Sequence, residues 1–214
     1  MNKIAIPLLL FLLSCNSNSN SPENLDSAFE GIISYKTEVS DLDGTFTNAQ
    51  LNVLFGDSMT LYVKGNNYKM VFNGRDILSV VYLGDSNKQY AIRYGIDSIY
   101  VGDCSKERQP LLSSILGSES DTILGKLCRS ISNTLGPYVH QYWFDSTLAI
   151  EDGRFQNHQF GHLNAYFAKS KSWYLKYQYQ GIRYSLTHTA VGLNQVSLDC
   201  AEFSIPDWPR TEFK

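Results

Sequence analysis

A period of two runs through this chain from residue 29 almost to its end, and it leaves little room for any fold but a sheet. Phe29, Gly31, Ile33, Tyr35, Thr37 and Val39 alternate with Glu30, Ile32, Ser34, Lys36 and Glu38, the pattern of a strand with one wet face. Asp41 to Gly44 reads as a turn. Leu51, Val53 and Phe55 predict a second strand, broken at Gly56-Asp57, and Met59, Leu61 and Val63 a third. Gly65-Asn66-Asn67 can turn with positive φ before Tyr68, Met70 and Phe72 return, and Asn73-Gly74 signals a further hairpin. Residues 77–83, 89–94 and 96–101 continue the series. Seven short strands in about 75 residues, joined by tight turns, predict an antiparallel meander. The aromatic content, 14 Tyr and 11 Phe, also favours strands over a helical bundle.

The texture then changes. Pro110, Leu111, Leu112, Ile115 and Leu116 are spaced for a short helix within residues 106–118. Helical spacing puts Leu112 and Ile115 on one side of it, where they could close over a cavity. A strand broken by Gly125 is expected over 122–131, a turn at Gly136-Pro137, and an aromatic strand over 138–144. Residues 163–168 suit a second short helix. Trp173, Leu175, Tyr177 and Tyr179 line one face of the next strand, and Gly181 introduces a last hairpin over 182–191. Residues 196–203 are expected to close the sheet, ended by Pro206 and Pro209, since proline removes a ladder donor.

Ahead of the sheet stands a different kind of segment. Lys3, an apolar run from Ile4 to Leu13, Ser14 and then Cys15 have the build of a secretory leader ending at a small residue. The run is too short to span a bilayer comfortably, which takes about 20 apolar residues. A cysteine at the cleavage point looks like a bacterial lipobox, so residues 1–14 read as a lipoprotein signal peptide and Cys15 as the acylated new N-terminus. Residues 15–28, rich in Asn and Ser, read as a flexible lipid-anchored tether, and 29–214 as one domain with a core of its own. Asn16 differs from the Asp that retains bacterial lipoproteins in the inner membrane, and the tether has no acidic cluster of the surface-export kind. The periplasmic face of the outer membrane is the expected location.

Composition removes some functions. The chain carries 18 basic and 21 acidic side chains; loss of Lys3 with the leader leaves 17 against 21, a net charge of −4. Nucleic-acid binding needs clustered Lys and Arg to displace counterions, and no such cluster exists. With Cys15 acylated, three thiols remain, enough for one bridge outside the cytoplasm. Cys104 and Cys128 bracket the least regular stretch, and a bridge there would be worth roughly 3 kcal/mol in chain entropy. Cys128 with Cys200 is the competing pair. His158 and His162 would share a helix face, as zinc sites require, but Gly161 lies between them and no third ligand is evident. On a strand they would stand about 13 Å apart. His140 and His188 are isolated, so no metal site is expected. No nucleophile elbow or phosphate loop is present, and no catalytic residue or cofactor is assigned.

Four short stretches carry a family likeness: Phe29-Glu30-Gly31-Ile32-Ile33-Ser34-Tyr35-Lys36, Val63-Lys64-Gly65-Asn66-Asn67-Tyr68-Lys69, Thr122-Ile123-Leu124-Gly125-Lys126-Leu127-Cys128 and Phe203-Ser204-Ile205-Pro206. Together they resemble the GLPGLI-type and related domains of bacterial lipoproteins, which share the fold of the lipoprotein carriers LolA and LolB. The hexapeptide itself is absent, and Lys171 to Lys176 stands in its region. The resemblance implies a mainly β domain, a strongly curved antiparallel sheet forming an unclosed half-barrel, with short helices over its concave side. It implies non-catalytic binding of a hydrophobic ligand, an acyl chain or lipoprotein, in that concavity. The alternative is an envelope scaffold with a filled core that only contacts another protein.

Overall fold

The computed structural model describes residues 28–151 and 153–213. The expected leader, the expected acylation site Cys15 and all but the last residue of the expected tether lie outside the described residues. Twelve strands and two short helices follow. They are β1 (Gly31–Asp41), α1 (Asn48–Phe55), β2 (Ser58–Lys64), β3 (Asn67–Phe72), β4 (Ile77–Leu83), β5 (Lys88–Arg93) and β6 (Ile99–Asp103), then β7 (Ser113–Ile123), β8 (Lys126–Leu135), β9 (Tyr138–Ala149), α2 (Leu163–Ser170), β10 (Ser172–Gln180), β11 (Tyr184–Gln195) and β12 (Arg210–Glu212). All strands join one curved, unclosed sheet in the order β12-β6-β5-β4-β3-β2-β1-β11-β10-β9-β8-β7. The fold is therefore mainly β and antiparallel, as expected, apart from the short parallel pairing of β12 with β6.

Two sequential meanders make up this order, β1 to β6 and β7 to β11. They are stitched together where β1 pairs with β11 over its whole length, Gly31 opposite Gln195 through to Asp41 opposite Tyr184. Tight turns set the registers. At the β7–β8 hairpin Leu124 and Gly125 both take positive φ, 51° and 74°, the geometry whose twist suits a two-residue hairpin. In the β3–β4 turn Asn73 accepts from the Asp57 and Ser58 amides at 3.0 and 3.1 Å, tying the turn to the start of β2.

Four local expectations fail. Leu51, Val53 and Phe55 lie on α1, and only Leu51 of the helix is buried. Thr47 and Gln50 form a capping box: the Gln50 amide donates to Thr47 Oγ1 at 3.2 Å and the Thr47 amide to Gln50 Oε1 at 2.8 Å. Satisfying two orphan donors at once outweighs a three-residue alternation. Residues 106–118 form no helix. Ser113, Ser114 and Gly117 are weak helix formers, and β8 offers a ladder that the segment completes, beginning with the Leu112 amide donating to the Thr134 carbonyl at 2.8 Å. Residues 196–203 end in a 3-10 turn at Cys200–Phe203 rather than a strand, and β12 takes the edge position instead. On β10 the alternation is interrupted by register shifts on both sides of Tyr174, so Trp173, Tyr174 and Leu175 are all buried.

The predicted Cys104–Cys128 bridge is not formed. Cys104, Cys128 and Cys200 are free thiols. Cys104 follows β6 and Cys128 lies on β8, second from opposite ends of the sheet order, and both are buried in the hydrophobic core. Burial pushes the Cys104 thiol up to about 12, so it stays protonated and unreactive.

The core sits on the face around which the sheet curls. Ile33, Tyr35, Leu61, Val63 and Leu175 form its floor. Against them pack α2 and the preceding loop: Phe155 stacks on Phe167 at 4.5 Å, Phe167 meets Trp173 edge-on at 4.9 Å, and Tyr166 stacks on Tyr142 at 4.3 Å. Ring pairs at these separations add to plain burial. They plug one part of the concavity and leave the rest open.

Candidate functional site

What remains open is a half-open cavity of about 340 Å³, within the range of small-molecule sites. Strand register builds its walls. Thr37, His188, Tyr177 and Tyr142 are successive partners across β1, β11, β10 and β9, a row of side chains on one face of the sheet. Met70 and Val80 face each other across β3 and β4, and Met59 and Phe72 across β2 and β3; all four line the far wall. Leu54 and Phe55 at the end of α1 close one side, and Phe160, Gly161 and Leu163 at the start of α2 the other. The chain can turn into α2 there because Gly161 and His162 both take left-handed backbone, φ 63° and 53°.

Few polar groups face this space, and most are already partnered. Asp76 is paired with Arg93. His188 Nδ1 and Thr37 Oγ1 are 2.8 Å apart, and His140 Nδ1 and the Tyr177 hydroxyl 2.9 Å. The Tyr177 ring also stacks on His188 at 6.0 Å. Burial holds both imidazoles down at about 4, with the nearby His162 adding to the effect on His140. They are therefore neutral at pH 7, and burial raises the Tyr177 phenol well above its ordinary value. Each imidazole keeps its second ring nitrogen, Nε2, without a hydrogen bond among the described residues. The cavity thus offers apolar walls and two uncharged polar handles.

Sequence reasoning gave His140 and His188 no role. Registered pairing, set by partners 37 to 151 residues away, is what brings them to one cavity. His158 lies behind the wall, its Nε2 2.9 Å from the Tyr68 hydroxyl and its ring 4.5 Å from Tyr82. His162 contacts the Gln109 carbonyl at 2.6 Å. Among the described residues no group of three His, Cys, Asp or Glu could hold a metal ion. The expected lid is not where Leu112 and Ile115 lie: both are exposed, 64% and 59%, and neither lines the cavity. Phe160 and Leu163 cover it instead.

Fold and site define a mainly β protein whose curved sheet encloses an aromatic-lined, ligand-sized cavity. No protein-family model and no curated protein sequence matches the chain. Among solved structures it is similar to PNGF-II in two crystal forms, with TM-scores of 0.47 and 0.48, identities of 11% and 12%, and 86% of this chain covered. The matched part spans only about a third of the PNGF-II chain, 32% and 31% in the two forms. It is also similar to the lipoprotein LppX of Mycobacterium tuberculosis, with a TM-score of 0.33 and 12% identity, covering 79% of this chain and 90% of that one.

Proposed function

We propose that this chain is a non-catalytic lipoprotein that holds a hydrophobic ligand, an acyl chain, in the cavity between α1 and α2. The observation that carries this reading is the cavity itself. Close-packed cores leave few voids larger than a water molecule, and apolar walls around about 340 Å³ are stabilised by an apolar occupant. The imidazoles that face it are neutral, so no buried charge opposes a hydrocarbon. The likeness to LolA- and LolB-type carriers points the same way, and a lipid anchor at Cys15 followed by Asn16 supports a location on the periplasmic face of the outer membrane. Displacement of a fluorescent fatty-acid probe tests the reading. Leu186→Trp, which fills the cavity from β11, should abolish probe binding while circular dichroism shows an unchanged sheet. A wild-type protein that binds no acyl probe would sink the proposal.

A second reading, an interaction scaffold, has one observation in its favour. Leu112, Ile115, Leu116 and Leu127 are all exposed along the edge hairpin of β7 and β8, where an unpaired strand edge can accept a partner. Retention of probe binding with these four apolar residues replaced separates the two.

A further inference from the structure

A second cavity, about 440 Å³, shares His140, Phe160 and Gly161 with the first. Its character differs: Arg108, Gln109, Gln159 and His162 contribute to its walls. The apolar chamber therefore adjoins a more polar vestibule at the three shared residues. Arg108 is held there by aromatic rings, its guanidinium carbon 5.0 Å from the Phe160 ring centre and 5.1 Å from that of Phe213. Such stacking fixes a cation without neutralising it. Among the described residues Arg108 makes no ion pair. The nearest sequence carboxylate, Glu107, instead contacts His162 Nε2 at 3.5 Å and accepts from the Leu111 amide at 3.3 Å. The one carboxylate lining the chamber, Asp76, is not part of the vestibule and is matched by Arg93. Arg108 is thus the one permanently charged side chain lining the vestibule.

We infer that the ligand is a single-chain amphiphile with an anionic headgroup, its chain in the chamber beside Tyr177 and His188 and its headgroup on Arg108 in the vestibule. The inference rests on the acyl-cavity reading above and adds the headgroup to it. A guanidinium suits carboxylate and phosphate oxygens through paired donors, and His140, common to both cavities, stands at the junction where chain meets headgroup.

Calorimetric titration of the whole protein with decanoate, 1-decanol and decyltrimethylammonium tests this, at about pH 8, where carboxylic acids are ionised. Decanoate should bind about tenfold or more tightly than the alcohol or the cation, the scale of one charge-assisted hydrogen bond. That preference should shrink as salt is added, because a partly exposed charge is screened. Arg108→Gln should remove the preference by weakening decanoate alone. Equal binding of acid and alcohol, a preference for the cation, or an equal loss for acid and alcohol in Arg108→Gln would overturn the headgroup assignment and leave the acyl chamber standing. Failure of all three probes to bind would instead overturn the acyl-cavity reading and this inference with it.

Discussion

His140, His158 and His188 share one physical situation. His158 and His188 are taken out of water and His140 is half-buried, and each ring is given a single hydroxyl partner, from Tyr68, Thr37 and Tyr177 respectively. Desolvation penalises the charged form, and all three are held down at about 4, against about 6.5 in an unfolded chain. The unfolded state therefore binds more protons between these values. Stability is full above about pH 6.5 and falls as pH drops toward 4, by up to roughly 3 kcal/mol for each of His158 and His188 and by less for the half-buried His140. The urea midpoint should accordingly decline steeply between about pH 6.5 and 4. His188→Gln, which keeps a hydrogen-bonding group beside Thr37, should flatten that decline in part. A midpoint independent of pH over this window would mean that the rings are not buried as described.

At the scale of elements, β7 shows what an edge strand can do. A register shift between Leu116 and Ser120 bends it, and a side chain at Gly117 would meet Ser130 Oγ at 2.3 Å, so the hydroxyl would have to turn away from the Glu119 carbonyl to which it donates. Within the shift Glu119 accepts from Gln141 at 2.8 Å, and beyond it Asp121 pairs with Lys176 at 2.8 Å, tying β7 to β9 and β10. The carboxyl of Asp121 is lowered chiefly by its hydrogen bond with Lys176. The segment that helical spacing marked as a lid is instead the outer rim of the sheet. Replacing Leu112 and Ile115 together with Asp should leave the protein folded and its acyl-probe affinity nearly unchanged, since exposed sites usually shift stability by less than about 0.5 kcal/mol. Loss of probe binding in a folded double variant would return the lid to this segment and remove it from Phe160 and Leu163.

For the whole molecule, lipid attachment and ligand binding make separate demands. The anchor proposal concerns Cys15 alone: several acyl chains, each buried methylene adding about 0.8 kcal/mol, hold a protein that no helix among the described residues is long and apolar enough to insert. Cys15→Ala should therefore release protein into the soluble fraction or stall it with its leader attached. A processed variant still in the membrane fraction would show a second attachment. Much of the architecture was legible in the residues. The alternations in β1, β2 and β3, the Gly65-Asn66-Asn67 and Gly136-Pro137 turns and the helix at α2 are local properties, because the pleat repeats every two residues and a turn needs only its own backbone. Short apolar runs were not legible, since 51–55 can alternate along a strand or sit on a helix until the Thr47–Gln50 cap decides. Nor were Leu112 and Ile115, whose spacing suits a helix but whose backbone is completed by β8. The pairing of β1 with β11, the row of Thr37, His188, Tyr177 and Tyr142, and the unfilled space beside it belong to the tertiary structure alone. A void is set by how far distant surfaces fail to meet, and no local pattern of side chains records that.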